Sequence, residues 1–129
     1  VAIALSSPGF ALLHVNSMLL LGVNPVSAII ALVTITAAGA SLALMSLRWG
    51  LLSAIGFHLT WNFLQYSVYG LGLTGEFSSL VRLTGAGDIL LTGGEYGPEA
   101  SLPGLVVVSI ALALTWHYYR HEKDDNLIP

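Results

Sequence analysis

The chain has 129 residues, 55% of them hydrophobic and only 9% charged, with a mean hydropathy of +0.80 and a formal net charge of −3. An ordinary soluble domain carries about 25% charged residues, so this composition argues against a water-soluble globule and indicates an integral membrane protein. No basic patch offers itself to nucleic acid, and the lack of cysteine excludes disulfides, thiolate-held zinc and a thiol nucleophile.

Four apolar segments follow in chain order, each near the ~20 residues that cross a ~30 Å hydrocarbon layer. Inside such a layer backbone groups must be satisfied internally, so each segment is read as a helix. The first covers residues 2–22, with Pro8-Gly9 near its start; the second, 26–47, holds no charge. The third covers 49–70, and the fourth, 102–119, is rich in Val, Leu and Ala. The expected fold is all-α: one transmembrane domain over residues 1–129, a bundle of about four helices. "VNPV" and "LRWG" are tight connectors that predict antiparallel hairpins, and Pro25 suits a helix start. Residues 71–101 are glycine-rich, carry Glu76, Asp88, Glu95 and Glu99, and are read as a solvent-facing loop, partly re-entrant. Residues 120–129 are read as a polar, frayed tail. The sequence starts at Val1 without a charged n-region, which does not fit a signal peptide and is read as the C-terminal part of a larger membrane domain.

In a four-helix layout Arg48, Arg120 and Lys123 share one side and Arg82 falls on the other, so the positive-inside rule places both ends of the chain in the cytoplasm. Trp49, Trp116, Tyr118 and Tyr119 sit at helix ends as an aromatic belt, and His117 and His121 are read as part of it. Glu95 and Glu99 are read as structural charges before the last helix, where negative charge suits the helix dipole. "TAAGAS" in the second segment is read as a close helix-packing face.

His14 and His58 are different. Counted from the same side of the membrane at the rise of an α-helix, they lie at depths of roughly 18 and 15 Å. Their helices run in the same direction, so the two imidazoles can meet near the midplane. Phe10 precedes His14 by four residues and Asn62 follows His58 by four, each pair sharing a helix face. A lone buried histidine can simply bond a neighbouring helix. Two at matched depth, one with an asparagine a turn away, mark a functional site. Neutral imidazole is the commonest metal ligand, and two histidines with oxygen ligands suit zinc.

The motifs "FALLH" and "FHLTWN", with "SLRWGLLSAIG" before the second and "GGEYGPEASL" before the last helix, resemble in order the CPBP family. That family comprises the CAAX prenyl proteases and the bacteriocin-processing or Abi proteins. The resemblance implies an intramembrane metalloendopeptidase in a bacterial cell membrane, acting on a peptide or protein substrate, prenylated or not. By the same resemblance His14, His58 and Asn62 are catalytic, and His14 and His58 hold a metal, Zn²⁺. The family's water-activating Glu-Glu motif lies on an earlier helix, and the sequence contains no two adjacent glutamates. A silent scaffold or immunity protein of the same family is therefore the alternative, and a transporter-like bundle a weaker third reading. With no other acid expected at the depth of the histidines, the chain by itself is expected not to cleave peptides.

Overall fold

The computed structural model describes residues 1–71, 79–81 and 87–125, with side chains described as far as His121. Helix α1 spans Ala2–Leu12, α2 Val15–Leu20, α3 Pro25–Trp49 and α4 Leu51–Asn62, which continues into a π-helical turn, Phe63–Val68. Helix α5 (Ile89–Thr92), two 3₁₀ turns (Gly94–Tyr96 and Pro98–Ala100) and α6 (Leu102–Asp125) complete the order. No strand occurs among the described residues. The fold is an all-α bundle.

Three stretches are long and apolar enough to cross a membrane: Ala2–Leu20, Pro25–Trp49 and Leu102–His121. The third expected helix is a 12-residue α-helix followed by six π-helical residues. Helix α3 is the centre, in contact with α1, α4 and α6. Asn24 starts it: its Oδ1 accepts from the Ser27 backbone N–H at 3.0 Å, and Pro25 occupies the first turn. Ile3, Leu44 and Trp116 line one cavity, so the start of α1 and the ends of α3 and α6 lie on the same side.

What is buried and what is exposed are inverted relative to a water-soluble protein. Ser7, Ser27, Thr34, Ser41, Ala31 and Ala100 are buried, whereas Leu20 is 80% and Leu52 82% exposed. Small residues between helices and large aliphatic residues outside are what packing within lipid favours. The buried hydroxyls are satisfied within their own helices, as in Ser7 to the Ile3 carbonyl (2.7 Å) and Thr34 to the Ile30 carbonyl (2.8 Å). Gly39, in the "TAAGAS" stretch, lies against α1. A Cβ there would stand 3.2 Å from the Phe10 ring and 3.3 Å from the Ser7 backbone.

Three expectations are corrected. The first helix is not continuous, because a turn at Leu13-His14 separates α1 from α2. The last helix does not end at Tyr119 but continues through Arg120 to Asp125. Residues 93–101 are not a solvent-facing loop: Tyr96, Ala100 and Ser101 are buried, and the first two join Ala11, Met18, Ala31 and Ile35 in the core. The reversal rests on Gly93, whose φ of 78° is left-handed and where a Cβ would collide with the Gly97 carbonyl. Ser101 then starts α6, donating to the Pro98 carbonyl (2.7 Å) and accepting from the Gly104 N–H (3.0 Å). Glu76 and Arg82, the side chain of Lys123 and the last four residues of the expected tail lie outside the described residues.

Candidate functional site

His14 occupies the break between α1 and α2. Its backbone N–H turns to the Ala11 carbonyl (3.0 Å), one residue short of helical register. The Phe10 carbonyl instead accepts a hydrogen bond from the His14 ring at 2.9 Å. A carbonyl oxygen only accepts, so Nδ1 carries the proton and Nε2 keeps its lone pair. The four-residue spacing of Phe10 and His14 is what allows this bond. It also sets the two rings edge to face, 5.0 Å between centroids.

Phe10 meets His58 in the same way, at 5.5 Å and an interplanar angle of 76°. The two imidazoles, one from the α1–α2 break and one from α4, therefore both contact one phenyl ring, and Gly39 is what lets that ring sit against α3. Asn62 stands beside them: its amide nitrogen approaches His58 Nε2 at 3.4 Å, a long contact in which the amide donates. The π-helical turn begins immediately after Asn62.

A cavity of about 180 Å³ is lined by Phe10, His14 and His58, and Asn62 is not part of its lining. Trp61 and Glu99 also line it. Its walls are apolar side chains of α3 and α6, among them Leu42, Met45, Val107 and Ala111. The volume admits several waters, each of which takes about 30 Å³ in the liquid.

No family model, curated protein or solved structure matches the chain.

Glu99 is the residue the sequence reading misplaced. It was expected to be a structural charge at a helix entry, with no acid at the level of the histidines. Because the 93–101 segment folds into the bundle, Glu99 lines the same cavity as His14 and His58. Its Oε1 accepts a hydrogen bond from Trp61 Nε1 at 3.1 Å. Burial pushes its carboxyl above the usual carboxylate range, and the Trp61 bond and the charge of His14 pull it partly back. Glu95, by contrast, is exposed. Behind Glu99, Tyr96 is buried with its hydroxyl 3.5 Å from Ser17 Oγ. Ser17 already donates to the His14 carbonyl (2.7 Å), so Tyr96 is the donor in that contact. Only the "GPE" sequence could have drawn attention to Glu99, and its composition does not distinguish a capping charge from a cavity charge.

His117 and His121 lie away from this site, near the end of α6, with their rings 4.3 Å apart. Trp116 stacks near Tyr119 (6.2 Å) and carries the Arg120 guanidinium over its face at 5.8 Å. Among the described residues no three His, Asp or Glu side chains are grouped to hold one metal ion.

Proposed function

We propose that this chain carries the histidine-bearing part of an intramembrane metal-dependent endopeptidase of the CAAX protease and bacteriocin-processing type. It would hydrolyse a peptide bond at or within the membrane. The observation that supports this most is that His14 and His58, distant in sequence, both contact Phe10 and line one cavity. Three stretches compatible with membrane passage support a site of action in or beside lipid. We extend the proposal to a bacterial cell membrane with both ends of the chain in the cytoplasm, on the distribution of Arg48, Arg120 and Lys123.

The donor set fits a zinc-type ion in kind. A ring whose Nδ1–H is held by a backbone carbonyl, as in His14, is oriented and fixed in the tautomer that a metal ligand needs. His14 would bind through Nε2 and His58 would be the second ligand, with the remaining positions taken by water or by groups beyond those described. Such an ion would supply Lewis-acid polarisation of the scissile carbonyl. For His58 to bind, the Asn62 amide must turn so that its oxygen accepts from His58 Nε2–H, which leaves the ring lone pair on Nδ1; Asn62 would then hold that ring in position.

The test is cleavage of a peptide tethered to detergent micelles or vesicles by one apolar helix. The proposal expects cleavage that is lost on chelation and in His14→Ala and His58→Ala. The lack of a Glu-Glu pair in the sequence favours a second reading, a silent member that binds without cleaving. Folded protein with no cleavage, or cleavage indifferent to both histidines, would support that reading instead.

A further inference from the structure

We infer that His117 and His121 form a binding site for a divalent transition-metal ion at the end of α6, independent of the cavity that His14 and His58 line.

The two residues are four apart on one helix and therefore lie one above the other on one face. Their ring centroids are 4.3 Å apart and their planes are inclined by 58°, so the rings are not stacked face on face. Two nitrogens bound tetrahedrally to one ion at about 2 Å stand about 3.3 Å apart. Small rotations of two rings at this separation bring one nitrogen of each to that spacing, with the helix backbone unmoved. Neither ring makes a hydrogen bond among the described residues, and both residues are exposed. Their nitrogens are thus open to an incoming ion. An interfacial aromatic belt accounts for Trp116, Tyr118 and Tyr119. It does not account for two imidazoles set against each other at chelating spacing.

The charge around the pair admits a cation. Helix α6 ends at Asp125, one turn beyond His121, and the C-terminal end of a helix favours positive charge. Glu122, Asp124 and Asp125 follow His121 in sequence, against Arg120 and Lys123. The Arg120 guanidinium is held over the Trp116 ring at 5.8 Å, on the neighbouring stripe of the helix.

The donor type selects the ion. Imidazole suits Cu²⁺, Ni²⁺ and Zn²⁺, whereas Mg²⁺ and Ca²⁺ require oxygen ligands. No third His, Asp or Glu completes the set among the described residues. Water therefore takes the remaining positions, which makes this an exchangeable site rather than a closed structural one. Cu²⁺ should bind ahead of Zn²⁺, following the general order of divalent affinities. A bound ion would tie α6 across one turn, where the aromatic belt marks the edge of the membrane.

The experiment is Cu²⁺ binding to the full protein in detergent, purified without a polyhistidine tag, followed by titration calorimetry and by the EPR spectrum of the bound ion. The inference expects one equivalent of Cu²⁺ that persists in His14→Ala/His58→Ala and in excess Mg²⁺. Adding either His117→Ala or His121→Ala should weaken that equivalent by about 10-fold or more, because the remaining ring loses the gain of paired attachment. The EPR spectrum should change from coupling to two imidazole nitrogens to coupling to one. Both rings are exposed, so helix content by circular dichroism should stay the same. His117→Ala and His121→Ala made alone in the wild-type chain should each weaken one Cu²⁺ equivalent by the same factor, a readout that does not require the His14→Ala/His58→Ala variant to fold. Cu²⁺ binding that neither substitution weakens overturns the site. Weakening by one of them and not the other leaves a single ring acting alone and also overturns it. Binding abolished by His14→Ala/His58→Ala in folded protein assigns the ion to the cavity and overturns it as well.

Discussion

Trp61 and Glu99, 38 residues apart in sequence, meet through a 3.1 Å hydrogen bond from the indole N–H to a carboxylate oxygen. That bond ties the segment before α6 to α4, one turn after His58 and next to Asn62. It turns a glycine-rich connector into a wall of the cavity.

The first expected outcome is a pH dependence of stability traceable to Glu99. Its folded-state pKa is raised above the ordinary 4.5, chiefly by burial. The native state therefore binds this proton more tightly than the unfolded chain. The stability it contributes is fully present below the unfolded value and is lost as pH rises through the folded one. Thermal unfolding of wild type in detergent should show Tm falling across that window. Glu99→Gln should remove that fall. A Tm decline of equal size in the variant would assign it to other groups.

Substitution at Gly39 should separate the helices that hold the site. Its Cβ position meets the Phe10 ring and the Ser7 backbone at 3.2–3.3 Å. Gly39→Leu should destabilise by about 1–3 kcal/mol, the usual cost of overpacking. It should also displace Phe10 from its contacts with the two imidazoles. Gly39→Ala should cost less, because the Phe10 ring can yield by a few tenths of an ångström while the Ser7 backbone cannot. Denaturation in detergent gives the ranking, and equal stability of Gly39→Leu and wild type would contradict the packing described.

Asn62 acts on His58 rather than in isolation, through the contact at 3.4 Å. In the cleavage assay Asn62→Ala should lower activity by about 10–100-fold, the usual range for a residue that orients a metal-binding histidine. Asn62→Gln, one methylene longer, should not rescue it. Full activity in Asn62→Ala would remove this residue from the site.

For topology, reporter fusions at Gly87 and Lys123 should give opposite signals, with Lys123 cytoplasmic. Gly87 precedes α6 and Lys123 lies near its end, so a crossing by α6 sets the two reporters on opposite sides whichever way the bundle is inserted. Cytoplasmic signal at Gly87 together with external signal at Lys123 would invert the proposed orientation.

Composition and helix length are local properties, and they made α3 and α6 legible within a few residues at most ends. The rise per residue set His14 and His58 at similar levels, and the structure adds that both touch Phe10. The helix break at His14 was not legible. Pro8-Gly9 draws the eye, yet α1 passes through Pro8, and the break comes later, where the His14 ring takes the Phe10 carbonyl. The π-helical turn after Asn62 has no sequence mark. Residues 93–101 were misread because Gly, Pro and Glu suggest a solvated loop. Their burial depends on packing against Ala11, Met18, Ala31 and Ile35, which no local pattern reveals. The same misreading hid Glu99, whose place in the cavity is set by Trp61 rather than by its neighbours in sequence.

The central claim, that His14 and His58 belong to one site, can be measured without knowing the substrate. The chain contains no cysteine, so a His14→Cys/His58→Cys variant can be treated in membranes with a short bismaleimide, beside His14→Cys/Leu52→Cys, whose second position is 82% exposed on the outside of α4. Intramolecular cross-linking should be efficient for the first pair and absent for the second, as followed by protease mapping. No cross-link at 14/58, or equal cross-linking in both variants, would contradict the shared site.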